Sequence, residues 1–153
     1  MKIPGRRASG FLVIFALFLG IISVSASQSG DLIAVIVNKS NHVTRLSEND
    51  IRRIYSNSVL AWPDGEPITI YDLAVQDSVR EEFSMKILGK TPEEVAEEWA
   101  HLKITNQAKN PPMTLKSQSF IVKRVASNKA AIGYVSYSAA KGNPDVRIVT
   151  TLQ

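Results

Sequence analysis

Apolar and polar positions along the chain form blocks that predict strands and helices in turn. Residues 32–37 (LIAVIV) form an apolar run that is rich in β-branched side chains and only six residues long. Such a run is typical of a strand that is buried on both faces of its sheet. Apolar runs at residues 68–71, 131–135 and 146–149 have the same character. The pattern therefore predicts four strands.

Helix caps predict four helices between these strands. A hydroxyl or carboxylate that accepts a hydrogen bond from the first free N–H groups stabilises the start of a helix. The strongest such signal is at Thr91, where a proline and two glutamates follow and a capping box can close. The predicted helices are residues 48–56 after Ser47, the segment from Asp77 or Ser78 to Gly89, residues 92–102 after Thr91, and the segment from Ser117 or Ser119 to Asn128.

The alternation of strands and helices sets the expected fold class. It is typical of an α/β domain in which a mixed, mostly parallel sheet is flanked by helices. Residues 27–153 are enough for one such domain with its own core. We therefore expect a single domain over residues 27–153.

The first 26 residues have the pattern of a secretion signal. Lys2, Arg6 and Arg7 precede an apolar run at residues 11–24, and residues 24–26 (VSA) fit the small-residue site of a signal peptidase. The apolar run is shorter than the roughly 20 residues that span a bilayer, which favours a cleaved signal over a membrane anchor. We therefore expect a signal peptide at residues 1–26, a periplasmic mature protein and no membrane span after cleavage.

Without the predicted signal peptide, the chain is close to electrically neutral. The chain carries 18 Lys and Arg against 14 Asp and Glu, and three of the cations but no carboxylate lie in residues 1–26. The other residues carry 15 cations against 14 anions, which excludes the basic surface that nucleic-acid binding requires. Because the chain has no cysteine, disulfides and thiolate chemistry are excluded as well.

The sequence offers little for catalysis or for metal binding. His42 and His101 lie far apart, and no carboxylate or cysteine stands at metal-ligand spacing beside either. A serine nucleophile motif with its histidine and aspartate, and a glycine loop that cradles phosphates, are both absent from the sequence. We expect no enzymatic activity, no metal site and no cofactor.

Several segments together resemble the phosphate-binding proteins of ABC importers. These segments are residues 46–55 (LSENDIRRIY), 62–65 (WPDG), 68–71 (ITIY), the helix with Phe83, and residues 131–137 (AIGYVSY). Their order and spacing match that family over roughly residues 30–140. The resemblance implies a type II periplasmic-binding-protein fold. Full members close two lobes around the ligand, whereas this chain resembles a small single-domain member that supplies one lobe.

The loop that binds phosphate in that family is not matched here. In the family, an arginine follows the ligand strand and a Ser-Gly-Thr begins the next helix, where amides and hydroxyls meet the anion. The corresponding segment is residues 71–80 (YDLAVQDSVR), which contains no glycine. Leu73 or Asp72 stands in place of the arginine, and only Ser78 supplies a hydroxyl.

Five residues are candidate ligands of a small oxyanion, for which the resemblance makes phosphate the leading guess. Ser78 and Arg80 lie at a predicted helix start, where free N–H groups and the helix dipole favour an anion. Ser117 and Ser119 open another predicted helix, and Ser40 follows the first strand. We expect all of them at the rim formed by the carboxyl ends of the strands, where open α/β sheets bind ligands.

Each candidate also has a purely structural interpretation. Ser78 or Asp77 could serve only to cap a helix, while Arg80 pairs with Glu81 or Glu82 on a solvated face. The serines at residues 117 and 119 could likewise be simple caps.

Two functions are therefore compatible with the sequence. The first is an exported solute-binding-like protein for ABC-type transport or sensing. The second is a ligand-free module that docks an ABC permease, an envelope sensor protein or a second copy of itself, through the surface that a missing lobe would have covered.

Overall fold

The computed structural model describes residues 31–153, and the predicted signal peptide lies outside these described residues. The strands are β1 Ile33–Asn38, β2 Thr69–Leu73, β3 Met113–Leu115, β4 Ala131–Ser136 and β5 Val146–Leu152. The helices are α1 Glu48–Tyr55, α2 Ser78–Phe83, α3 Pro92–Ile104, α4 Gln118–Ser127 and α5 Tyr137–Ala140. A π-helical turn, Ser84–Leu88, follows α2 directly. Within residues 31–153, no helix has the length and apolar character needed to cross a bilayer.

The strands form one mixed sheet in the order β3-β2-β4-β1-β5. β2 pairs in parallel with β3 and with β4, whereas β1 is antiparallel to both β4 and β5. Four strands therefore run in one direction and β1 runs in the other. The predicted fold class, a mixed α/β sheet flanked by helices, is confirmed.

The core lies on both faces of this sheet. All six residues of β1 are buried, as the apolar run predicts for residues 33–37, and the polar Asn38 is buried with them. On one face, Gly133 of β4 lets α4 approach closely, since a Cβ there would lie 2.6 Å from Cγ2 of Ile121 and 3.3 Å from Cγ2 of Val125. The next residue, Tyr134, points to the opposite face because side chains alternate along a strand. There its ring stacks on Phe83 with centroids 3.7 Å apart.

The predicted caps account for three helix starts. Ser47 and Asp50 form a capping box at α1, and Thr91 and Glu94 form one at α3. At α2 the two alternatives are resolved, since Asp77 is the cap and accepts a hydrogen bond from the Val79 N–H at 2.9 Å. These helices therefore begin where the sequence predicts.

Two short elements were not predicted. β3 has three residues, two of which are exposed, so its sequence shows neither a buried run nor an alternation. α5 is a single turn of four residues directly after β4. Both elements are fixed by the neighbours they pack against rather than by their own periodicity.

Candidate functional site

Three parallel strands end together at one edge of the sheet, here called the carboxyl edge. Leu73 at the end of β2 is the register partner of Leu115 at the end of β3. β4 is parallel to β2 and ends at Ser136, opposite the first residue of β1. The loop into α2, the start of α4 and the start of α5 therefore lie along this edge. Ligands of open α/β sheets bind at such positions.

Ser117 and Ser119 lie at the carboxyl edge, at the start of α4. Ser117 is the N-cap residue, yet its side chain makes no capping hydrogen bond. Instead, its Oγ lies 2.9 Å from Oγ of Ser119, which is exposed. Oε1 of Gln118 accepts a hydrogen bond from the Ser136 N–H at 2.7 Å and so ties α4 to the end of β4. The start of α4 is fixed in place, and its hydroxyl pair is open to an external group.

A second hydroxyl pair at this edge was missed from the sequence. Oγ atoms of Ser136 and Ser138 lie 3.3 Å apart at the start of α5. Asp31 accepts a hydrogen bond from the Ser138 N–H at 3.0 Å, and hydrogen bonds from Ser138 lower the pKa of that carboxyl. The signal that could have found them is the pair of serines, separated by Tyr137, directly after a predicted buried strand.

Ser78 also lies near the carboxyl edge, but at a helix start that is already satisfied. It is exposed and is the first residue of α2. The carboxylate of Asp77 accepts from the Val79 N–H, so the positive end of this short helix already holds a negative charge. An anion beside Ser78 would be repelled by Asp77. Ser78 therefore lies at the predicted edge, but its surroundings are less favourable for an anion than those of Ser117.

Arg80 is buried in the core rather than exposed at the edge. It forms an ion pair with Asp72, and its Nη1 donates to the carbonyl oxygen of Leu73 at 3.2 Å. The hydroxyl of Tyr134 donates to the other oxygen of Asp72. The suggested pairing of Arg80 with Glu81 or Glu82 on a solvated face is therefore wrong. Asp72 faces the helices that cover β2, and the first turn of α2 directs Arg80 inward to meet it.

Ser40 does not join the other candidates. β1 is antiparallel to β4, and Val37 near its end pairs with Ile132 near the start of β4. The loop after β1 therefore lies at the opposite edge of the sheet, where the Ser40 N–H donates to Oδ1 of Asn38 at 2.8 Å. The prediction that Ser40 shares a rim with Ser117 is wrong. An apolar strand buried on both faces carries no signal of its direction.

An aromatic cluster closes the core beneath the buried ion pair. The ring of Tyr55 meets Phe83 and Tyr134 edge to face, with centroids 4.9 and 5.8 Å apart. Burial raises the pKa of both tyrosine hydroxyls above the usual value. Trp62 and Trp99 are buried as well, so these large aromatic side chains belong to the interior of the domain.

In the part of the chain that the structure describes, His, Asp and Glu side chains form no group of three or more that could hold a metal ion. The start of α4 offers hydroxyls, backbone N–H groups and a helix dipole, and the carboxylates of Asp31 and Asp77 lie at other points of the carboxyl edge. The arrangement at α4 can bind an anion.

Comparison with solved structures finds the same fold in three proteins, two of which are described as belonging to phosphate ABC transport. A protein from Clostridium perfringens, described as a candidate phosphate ABC transporter substrate-binding protein with bound phosphate, aligns with a TM-score of 0.62 at 22% identity over 78% of this chain and 44% of its own. An ABC-type phosphate transport receptor from Vibrio cholerae gives 0.59 at 18% identity, over 80% of this chain and 46% of its own. PstS from Borrelia burgdorferi gives 0.61 at 16% identity, over 80% and 49%.

This chain spans less than half the length of these solved proteins, whose likeness establishes the fold. A search of curated proteins finds no match. The sequence family described as the PBP superfamily domain matches residues 30–150, which include β1 to β4, most of β5 and nearly all of the described residues. On this match over most of its length, the chain belongs to the PBP superfamily.

Proposed function

We propose that the protein is an exported solute-binding-like protein that binds a small oxyanion at the carboxyl edge, for ABC-type transport or sensing. Phosphate is the leading candidate, because two of the solved relatives are described as belonging to phosphate ABC transport and one of them carries bound phosphate. Export rests on the signal pattern of residues 1–26. The proposed ligand residues are Ser117 and Ser119, with Ser78 as a peripheral contact.

The observation that carries this proposal is the open start of α4. α1, α2 and α3 each begin with a side chain that accepts a hydrogen bond from the helix backbone. At α4 the Ser117 hydroxyl points instead to Ser119, and the Phe120 N–H donates to the Ser117 carbonyl oxygen at 3.1 Å. The N–H groups of Gln118 and Ser119 have no partner among residues 31–153 and are left for an external acceptor. The dipole of this ten-residue helix favours a negative charge at the same place.

The nearby carboxylate favours an oxyanion that still carries a proton. Asp31 lies at the same edge through its hydrogen bond from the Ser138 N–H, and its lowered pKa keeps it ionised. A carboxylate repels a fully ionised anion but accepts a hydrogen bond from a protonated one. Hydrogen phosphate has such a proton at neutral pH and sulfate does not. We therefore expect phosphate to bind more tightly than sulfate.

The affinity should be modest because a single lobe leaves one side of the anion in water. We expect a Kd in the micromolar range or weaker, about −8 kcal/mol at most. Isothermal titration with phosphate, sulfate and small carboxylates measures it. The variant with Ser117→Ala and Ser119→Ala should bind phosphate at least about 10-fold more weakly, because hydrogen bonds to a charged group are lost.

The matched control is Ser127→Ala. Ser127 is an exposed serine at the other end of α4, where its Oγ donates to the Arg124 carbonyl oxygen at 3.1 Å. This variant should bind phosphate like the unaltered protein. No heat at millimolar phosphate, or equal weakening in both variants, would contradict a site at the start of α4.

A second function is favoured by apolar side chains along the same edge. Leu32, Met85 and Phe120 are 36%, 51% and 50% exposed. Leu32 directly precedes β1, and Phe120 lies in the first turn of α4. Met85 lines a cleft with Val75 and Gln76 of the loop that follows β2. In this alternative, the edge docks an ABC permease, an envelope sensor or a second copy of the chain where the longer solved proteins have their second lobe.

A further inference from the structure

A groove of about 380 Å³ lies between α1, the segment that leads into α1 and the turn at residues 62–65. Trp62 fixes its place in the fold, because the indole Nε1 donates to the Ala130 carbonyl oxygen at 2.9 Å, directly before β4 begins. β4 ends at the carboxyl edge, so the groove lies near the opposite edge of the sheet. None of the proposed oxyanion ligands lines it. The groove is therefore separate from the proposed oxyanion site.

The walls of the groove are mostly apolar, and they are not fully covered. Ile54 and Trp62 are buried, whereas Val43, Leu46 and Val59 pack against the core and stay partly exposed. Removing apolar surface from water is favourable in proportion to its area. An apolar side chain that fills the groove is therefore stabilised there.

The charged residues of the lining leave one positive charge uncompensated. Arg45 and Arg53 are exposed at the rim, and neither forms an ion pair among residues 31–153. Asp50 is the one acidic residue of the lining. Its Oδ2 already accepts from the Ser47 hydroxyl at 2.6 Å and from the Ser47 N–H at 3.0 Å. The lining therefore complements an occupant that has apolar side chains and one negative charge.

The shape of the groove favours a protein segment over a small molecule. Sites for small molecules usually enclose most of their ligand, whereas this groove is open to solvent. An extended peptide covers an open groove with its own backbone and directs alternate side chains into it.

We propose that the groove docks an extended segment of a partner protein in which two large apolar side chains stand beside one carboxylate. The apolar side chains lie against Trp62 and Leu46, and the carboxylate pairs with Arg45 and Arg53. This docking is independent of oxyanion binding at the carboxyl edge, and either one can fail without the other.

The test is a titration of the purified protein with a blocked peptide, acetyl-Leu-Ser-Leu-Glu-amide, followed by the NMR shifts of the two indole N–H groups. Trp62 lines the groove and Trp99 does not, so Trp99 is the internal reference. We expect a saturable shift at Trp62 alone, with a Kd of about 0.3–3 mM. The same peptide with glutamine in place of glutamate should bind about 3-fold more weakly, because the pairing with the arginines is lost.

Two pairs of substitutions separate groove binding from general effects. Ala61→Phe obstructs the groove and should weaken peptide binding at least about 5-fold, whereas Ala100→Phe, at an exposed position of α3 outside the groove, should leave it within about 2-fold. Arg45→Gln should weaken binding about 3-fold. Arg124→Gln removes the same charge from an exposed position of α4 and should leave binding unchanged.

Three results would overturn the proposal. The first is no saturable shift at Trp62 up to ~10 mM peptide, and the second is equal binding by both phenylalanine variants. The third is a Trp62 shift that grows with protein concentration in the absence of peptide, which would show that a second copy of the chain occupies the groove.

Discussion

Arg80 and Asp72 are charged residues that serve the fold at the place where a ligand loop would otherwise be expected. Their side chains are buried, which is costly for charges unless every partner is supplied. The Tyr134 hydroxyl and the Leu73 backbone supply most of these partners. The ion pair thereby fixes the chain between β2 and α2. Removing either partner alone would leave an unpaired buried charge.

The buried tyrosines at this cluster make stability depend on pH. Burial raises the pKa of Tyr55 and Tyr134 in the folded protein, whereas an unfolded tyrosine titrates near pH 10. Their contribution to the free energy of unfolding is fully present below about pH 10. It is lost progressively above that pH, because there the unfolded chain releases the tyrosine protons and the folded protein does not. Each tyrosine lowers the free energy of unfolding by up to about 1.4 kcal/mol per pH unit there.

Tyr55→Phe tests this dependence. Urea unfolding at pH ~8 and pH ~11 should show a smaller loss of stability in the variant than in the unaltered protein, by about 1 kcal/mol. Every other ionisable side chain is the same in both proteins, so the difference between the two isolates the tyrosine. Equal losses would mean that Tyr55 ionises in the folded state. The hydroxyl of Tyr55 donates only to the Tyr71 carbonyl oxygen at 3.0 Å, so folding should survive its removal.

The sequence predicts where the site residues lie along the chain better than which way they face. Ser117 and Ser119 follow from serines placed just before a helical pattern, and the structure has them at the carboxyl edge. The burial of Arg80 does not follow, because α2 has only six residues and shows too little periodicity to define its inner face. Its partner Asp72 lies within a strand, where only the completed sheet decides which face is covered.

Among the elements, α4 has a double role, since its face packs on the sheet and its start forms the proposed site. Its distance from β4 is set by Gly133, where side chains of Ile121 and Val125 occupy the space of a Cβ. α4 and the sheet are therefore in close contact beside the ends of β4. The position of the hydroxyl pair depends on this contact.

Gly133→Ala should destabilise the fold by about 1–3 kcal/mol, because the new methyl group overpacks the contact with Ile121. Ile121→Ala alone should also destabilise, by leaving a cavity. The two changes together should cost at least about 1 kcal/mol less than their added effects, since each relieves the other. Unfolding in urea measures all three variants. Strict additivity would show that the Gly133 contact does not limit the approach of α4.

Elements with a cap or a buried run were predictable, and elements without either were not. The capping boxes at α1 and α3 and the apolar run of β1 set those elements through interactions within a few residues. β3 exists because Met113, Thr114 and Leu115 meet β2, which is far away in sequence. Strand order and the reversed direction of β1 depend on such distant contacts as well, and they decide that Ser40 and Ser117 lie at opposite edges.

At the scale of the whole molecule, the described part of the chain is one lobe with an exposed carboxyl edge. The solved relatives are more than twice as long as the part that this chain matches. The described residues can contact an anion from one side only, so we expect water on the other side to limit affinity and selectivity. The same edge carries the exposed side chains of Leu32, Met85 and Phe120. Oxyanion binding and protein docking are therefore alternatives for one surface.

Light scattering on the purified protein separates these alternatives. Stable protein interfaces bury about 1,200–2,000 Å² with a continuous apolar centre, and three half-exposed side chains supply only part of that. We therefore expect a monomer at micromolar concentration, with or without phosphate. A dimer that Phe120→Ser dissociates would instead support docking between copies through the carboxyl edge. Ile104→Ser is the matched control, because Ile104 is 85% exposed but lies away from the carboxyl edge. α3 starts beside that edge and runs away from it, and Ile104 is its last residue. A dimer that neither variant dissociates would place the interface elsewhere and leave the edge free for the oxyanion.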